Sequence, residues 1–332
     1  MATIEDVAKA AGVSASTVSY VLSGKRSISA PTRRRVEQAI ATLGYRPHAG
    51  ARALASARTE VIGLMIPLRS GIDVPVIMQF AGGVVTRARE HAHDVLLLTQ
   101  DDLEGLERAT NGSMVDALVV MDVEADDARI PILTRSRQPS VLVGLPRDAS
   151  GLSCVDLDFE SAGRLAARHL AELGHRTVAM LGAPPEVVDR HTSYVDRVMR
   201  GFAEAAPEQG LDARAVACPG APAEVARVVD ELLADAPGTS GLFVHNERAL
   251  PHVLSRLRES GRAVPEDVSV IALCPEDVAL AQAMPMTAID LPASTIGSLA
   301  VDIVMGRLDD GRPAETRLLA PVLTTRGSTA RR

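Results

Sequence analysis

An α/β protein carrying a small all-helical helix-turn-helix head at its amino end is what the sequence predicts, and three observations predict it. From Val61 onward, short apolar runs alternate with stretches of helical period, the pattern of helices packed over mostly parallel sheets. Ahead of Val61, three short amphipathic stretches carry a charge balance unlike that of the rest of the chain. Finally, 332 residues, 46% of them hydrophobic, exceed what one core usually holds, so two or more domains are expected. With 23% of residues charged, disorder is excluded for most of the length.

Thr3 and Asp6 have the spacing of a capping box, and Ile4, Val7, Ala8 and Ala11 recur at helical period until Gly12 closes the turn. Ser14 caps a second helix whose apolar face is Val18, Val21 and Leu22, which leaves Ala15, Ser16, Thr17 and Tyr20 toward its amino end and outer face. Ser29 precedes a third helix with Val36, Ala39, Ile40 and Leu43 inside and Gly44 at its end. Residues 1–60 hold nine Lys or Arg against four Asp or Glu, a balance of +5, while the remainder stands at −12. A basic head on an acidic body is the part to test for phosphate contact. In a helix-turn-helix the second helix enters the major groove, so Ser16 and Tyr20 are the expected base readers. Ser14, Ser23, Ser29 and Arg33 are placed for the backbone, with helix capping a role that Ser14 and Ser29 can share.

In the body the expected strands are 61–66, 95–98, 117–121, 141–144, 178–181, 215–218, 242–244 and 268–273. The expected helices cover 77–90, 160–173, 224–233, 251–259 and 294–308. Among 332 residues there are four Phe, three Tyr and no Trp, which rules out a wall of stacked tryptophans. Cys154, Cys218 and Cys274 are far apart and lack C-x-x-C spacing, so free thiols and no metal are expected. No G-x-x-x-x-G-K-[ST], G-x-S-x-G or H-E-x-x-H occurs, and no cofactor is expected. Cys274 with His245 and Asp73 or Asp156 sketches a nucleophile and base, but nothing local orders them, and the expectation is no enzyme. The amino end has no apolar signal-type stretch and the chain no run of 18 apolar residues, so a cytoplasmic protein outside the membrane is expected.

Residues 3–54 combine IEDVAKAAGVS, TVSYVL, TRRRV, the LGYRP turn and the ARAL run in register, and in this they resemble the headpiece and hinge of the LacI/GalR family of bacterial transcriptional repressors. The resemblance implies that Ala15, Ser16 and Tyr20 read bases, and that residues 47–59 form a hinge helix on palindromic operator DNA, with Ala53 and Leu54 at the minor groove. Gly50 departs from that pattern and should make the hinge harder to order. Ser23 stands where an asparagine is common.

The body is similar to the periplasmic-binding-protein-like core of the same family, on VIGLMIP, HLAELGHRTVAMLG, VPEDVSVIAL and LLAPVLTTRGST. This implies a head over 1–46, a hinge over 47–59, and a core over 60–332 made of two subdomains crossed near 158, 290 and 320. It also implies a homodimer and a small-molecule effector between the subdomains. The family's pocket arginine, three residues before a Gly-Phe that begins a helix, is here Val198, with Arg197 and Arg200 beside it. The family's sugar-binding aspartate is Cys274, and its Ala-Asn-Asp is His245-Asn246-Glu247. The effector contacts implied are Asp73, Arg190, Arg197, His245, Asn246, Glu247 and Cys274. A thiol cannot reproduce a carboxylate's bonds to a polyol. Two readings stay open: a repressor answering to a sugar or related metabolite, and one whose pocket has drifted to an unusual effector or to none.

Overall fold

A computed structural model describes residues 2–23, 26–45, 58–99, 103–111 and 114–332. Thr3 opens α1 (Ile4–Ala11) with both halves of a capping box: the Asp6 N–H donates to its hydroxyl at 3.2 Å, and the Asp6 carboxylate accepts its N–H at 2.8 Å. Aspartate thus serves where glutamate is usual. Gly12, at φ 65°, ends the helix. The second and third helices are α2 (Ala15–Ser23) and α3 (Ala30–Leu43). Val7, Ala8, Ala11, Val18, Val36 and Ala39 form the buried centre of the head. Leu22 and Leu43, which periodicity places on the apolar faces, are exposed. Each lies in the last turn of its helix, beyond the reach of the small core that the described residues of the head form.

The body begins with β1 (Val61–Met65), α4 (Val74–Glu90), β2 (Asp94–Leu98), α5 (Leu103–Asn111), β3 (Ala117–Val120), α6 (Ile130–Arg135), β4 (Ser140–Val143) and β5 (Ser153–Leu157). There follow α7 (Phe159–Glu172), β6 (Thr177–Leu181), α8 (Pro185–Asp189), α9 (Ser193–Glu208), β7 (Asp212–Val216), α10 (Pro222–Asp235), β8 (Gly241–Val244), α11 (Leu250–Glu259), β9 (Ser269–Cys274), α12 (Glu276–Leu280) and β10 (Thr287–Asp290). The chain closes with α13 (Ala293–Asp310), β11 (Thr316–Leu319) and β12 (Leu323–Thr324).

Two six-stranded sheets result, ordered β2-β1-β3-β4-β5-β11 and β7-β6-β8-β9-β10-β12, with β12 the antiparallel member. The chain leaves the first sheet after Leu157 and returns after Asp290, where α13 packs on α4 and the first sheet. It passes a last time between Leu319 and Leu323. In both sheets the order reverses beside the first strand, between β1 and β3 and again between β6 and β8. At such switch points helices depart to opposite faces and leave a crevice at the strands' carboxyl ends.

Several element boundaries differ from the sequence reading. The run 215–218 gives way to β7 at Asp212–Val216, and β5 and β10 carry no continuous apolar run. All five residues of β5 are buried, yet Ser153 and Asp156 interrupt its pattern. Gly201–Phe202, expected to begin a helix, lies in the middle of α9.

Two helix pairs pack in the same manner. A Cβ built on Gly201 of α9 would fall 2.0 Å from the Glu160 carbonyl oxygen of α7, and one on Gly163 would fall 2.3 Å from that of Val198. In the other pair, Gly83 of α4 and Gly297 of α13 meet Ser294 and Phe80 carbonyls at 2.0 and 2.2 Å. The obstacles are backbone atoms that cannot rotate aside. Gly201→Ala is therefore expected to cost about 1 to 3 kcal/mol of stability through overpacking. A urea midpoint equal to that of the wild type would show that the pair has slack.

Candidate functional site

The crevices of the two sheets face one another and enclose one cleft. Its walls come from the loops after β1 (Gly71, Ile72, Asp73), β3 (Met121, Asp122, Val123), β6 (Ala183, Pro184) and β8 (His245, Asn246, Glu247), with Val76, Ile77 and Phe80 of α4, Asp156, Phe159, and Ser193 and Tyr194 at the start of α9. The space, counted to its mouth, is about 840 Å³. That is room for one compact molecule, on a mostly apolar wall with a few polar groups, the usual character of a small-molecule site.

Four carboxyl groups line the cleft. Asp122 lies 3.3 Å from Arg69 and 3.8 Å from Arg190. Asp156 accepts from Arg197 at 2.8 Å, and burial lifts its carboxyl to about 7 against the pull of that guanidinium. Asp73 caps α4 by accepting the Val76 N–H at 3.1 Å. Glu247 is raised by burial to about 8, and the Asp73 charge adds to the rise. Asn246 donates to the Cys218 carbonyl at 2.6 Å and accepts the N–H groups of Arg248 and Ala249, so its amide shapes the loop. Phe159, Tyr194 and His245 form a ring cluster with centroids 5.3 to 6.0 Å apart.

Of the seven residues implied as effector contacts, Asp73, His245, Asn246 and Glu247 come together on this wall, while Arg190, Arg197 and Cys274 do not. Arg190 sits behind Asp122 and donates to the Ser70 and Glu186 carbonyls. Arg197 stands behind Asp156 and also donates to the Leu157 carbonyl at 2.9 Å. Val198, at the family's arginine position, is fully buried in the core. Cys274 shares the strand face of Val270 and Ala272 and is packed among apolar side chains of α10 and α11, with its thiol raised by burial. The wall residues that sequence reasoning missed include Phe80, Phe159, Ser193 and Tyr194. Three of the chain's seven Phe and Tyr residues line this one cleft, a concentration that only the fold reveals.

The rim is bridged by the protein's own backbone. Ala125 N–H donates to the His191 carbonyl at 2.8 Å, and Ser193 N–H to that of Val123 at 2.9 Å. On α4, the Gln79 amide donates to Asp277 of α12 at 3.0 Å. These bonds join the two subdomains across the cleft.

Burial alone lowers His245 from 6.5 to about 4, so the ring is neutral at pH 7. Between those values the unfolded chain binds a proton that the folded one refuses. The stability tied to the neutral ring is therefore complete above pH 6.5 and lost as pH falls toward 4, at up to about 1.4 kcal/mol per unit. His245→Gln is expected to flatten the fall of the urea midpoint between pH 6.5 and 4.5; a slope equal to the wild type's contradicts the buried neutral ring.

On the head, Ser14 accepts the Thr17 N–H at 3.2 Å and so caps α2. Ser16 and Tyr20 are exposed, Tyr20 by 37%, and Ala15 and Thr17 are half-buried beside them. Arg26 lies 5.8 Å from the Tyr20 ring centroid, a contact the sequence did not disclose. Ser29 stands at the start of α3 without a side-chain bond to the helix backbone, its hydroxyl donating to Thr32 instead. Arg33 is exposed. Ser23 ends α2. Residues 47–57 of the hinge, with Gly50, Ala53 and Leu54, lie outside the described residues.

Residues 3–48 match the model of bacterial regulatory proteins, lacI family, and residues 167–329 that of a periplasmic binding protein-like domain. The transcriptional repressor PurR of Aliivibrio fischeri is 30% identical over 349 aligned positions that cover 100% of this chain and 99% of its own. This chain belongs to the LacI family. As a LacI-family protein it is a DNA-binding transcriptional regulator. The regulator CelR of Thermobifida fusca is likewise 30% identical, over 96% of this chain and 95% of its own. A solved CelR–cellobiose complex superposes with a TM-score of 0.70 at 27% identity, covering 99% and 100% of the two chains. The lac repressor dimer bound to operator and the anti-inducer ONPF shares the LacI-family fold, with a TM-score of 0.83 at 22% identity over 99% of each chain. Among the described residues of this LacI-family chain, no helix is long and apolar enough to cross a membrane.

Proposed function

We propose that this regulator acts in the cytoplasm as a homodimer that represses transcription from a roughly palindromic operator, and that a small metabolite held in the cleft alters its grip on DNA. The observation that carries this reading is the exposed amino-terminal face of α2 within an amino-terminal region, residues 1–60, whose charge balance is +5. Ser16 and Tyr20, with Ala15 and Thr17, read base edges, while Ser14, Ser23, Ser29 and Arg33 contact the phosphate backbone. Ala53 and Leu54 of the hinge enter the minor groove. A homodimer is supported by Val74, Met78 and Val85, three exposed apolar residues on one side of α4. Asp73, His245, Asn246 and Glu247 meet the effector, and Arg190 and Arg197 steady the carboxylates behind the wall. The cleft binds and does not catalyse: its histidine is neutral and no nucleophile is paired with it.

A second reading, in which the pocket has drifted to an unusual effector or to none, is favoured by the protein's own hydrogen bonds that join the two rims across the cleft. DNase protection of the native chain on its own genomic DNA tests the proposal. Two protected half-sites related by a two-fold axis are expected. One unsymmetric stretch, or none, would defeat it. A change in protection on adding metabolites separates the two readings.

A further inference from the structure

The cleft's unpaired polar atoms share one chemical character. Asp122 and Asp156 already face arginines, and Asn246 is occupied by the backbone. What remains on the wall is Glu247, which forms no ion pair among the described residues, the second carboxylate oxygen of Asp73, and the Tyr194 hydroxyl. Two further atoms point to a missing partner. Ser193 Oγ and His245 Nδ1 have no hydrogen bond, although their residues are only 2% and 5% exposed and line the same space. Each of these groups can accept: a carboxyl that ionises beside a cation only accepts, a hydroxyl accepts as readily as it donates, and a neutral imidazole offers one lone pair. Among the described residues, no lysine or arginine lines the cleft. Arg190, two of whose nitrogens lack hydrogen-bond partners, lies behind Asp122 and not in the wall.

On the reading of the cleft as the effector site, we propose that its ligand is an organic cation: an amine or guanidine on a compact, mainly apolar body. Its N–H groups meet Glu247, Ser193 and His245, and its charge and carbon skeleton lie against the Tyr194 ring, since aromatic faces attract cations within about 6 Å and Phe159 already takes the Arg197 guanidinium at 5.8 Å. An anion would meet carboxylates, with only the Ser193 and Tyr194 hydroxyls and one imidazole N–H to donate to it. A plain hexose needs donors as well as acceptors for its ring of hydroxyls, and buried polar groups left unpaired are costly. A bound ammonium also supplies the positive charge that the coupled Asp73 and Glu247 lack.

Calorimetry on the full chain with three matched pairs tests this: phenethylamine against 2-phenylethanol, cyclohexylamine against cyclohexanol, and glucosamine against glucose. At least one amine is expected to bind tenfold or more tightly than its neutral counterpart, and Glu247→Gln should erase that preference. Should Glu247→Gln fail to fold, Ser193→Ala is expected to weaken the amine and spare the neutral partner. A neutral member that binds as well as its amine, a preference that survives Glu247→Gln, or no heat from any pair overturns the cation assignment while leaving the cleft as the effector site. Amine binding that survives Val143→Phe, which fills the cleft, overturns both.

Discussion

Arg197→Met is expected to destabilise the protein by about 3 to 5 kcal/mol near pH 8, the largest single effect foreseen outside the DNA interface. The guanidinium bonds Asp156 and the Leu157 carbonyl in a place where both side chains are nearly inaccessible, so its loss strands a buried carboxylate. The deficit should shrink as pH falls toward about 7, because the Asp156 carboxyl, at about 7 beside the guanidinium, rises further without it and takes up a proton that neutralises the stranded group. Arg197→Met combined with Asp156→Leu should recover most of the stability, since a well-packed apolar pair often replaces a buried ion pair without loss. Urea unfolding of the two variants across pH checks this. If Arg197→Met loses less than about 1 kcal/mol yet abolishes ligand binding, the arginine is an effector contact and the wall has been drawn one layer too thin.

Tyr20→Ala is expected to lower discrimination between operator and random duplex by about 1 to 3 kcal/mol. Tyr20 is exposed on the recognition helix, and Arg26 steadies its ring. Arg33→Ala should behave differently, weakening both kinds of DNA and reducing the salt slope of binding by about one ion, because a phosphate contact carries no sequence information. Titrations at several salt concentrations separate the two. Equal losses on operator and random DNA for Tyr20→Ala would assign the tyrosine to packing.

The head was legible because its signals are local: caps, period and charge all sit within a few residues of what they organise. Thr3 with Asp6, Gly12, Ser14 and Gly44 mark their helix ends where the periodicity says the helices begin or stop. In the body most apolar strands and four long helices were legible for the same reason, whereas α9 was not among the expected helices, and β5 was hidden because its buried Ser153 and Asp156 are satisfied by distant parts of the chain. The cleft was half legible. Spacing along a loop carried His245 to Glu247 to the right place, but spacing within a regular element does not fix the facing. One step along a helix turns a side chain by about 100°, which separates Arg197 from the buried Val198. One step along a strand sends it to the other face, and Cys274 falls on the side away from the ligand space. Phe159 and Tyr194 were hidden for another reason: 35 residues part them in the chain, and only the packing of α7 on α9 brings their rings to 5.3 Å.

The central claim is that a basic helix-turn-helix head gives this chain sequence-specific hold on DNA. The measurement that tests it most directly is the dissociation constant of the intact protein for the best site selected from random duplexes, set against that for unselected duplex at the same moderate salt. A ratio of about a hundredfold or more, on a selected site with two-fold symmetry, is the predicted result. A ratio near one, or selection that converges on no symmetric site, would contradict it.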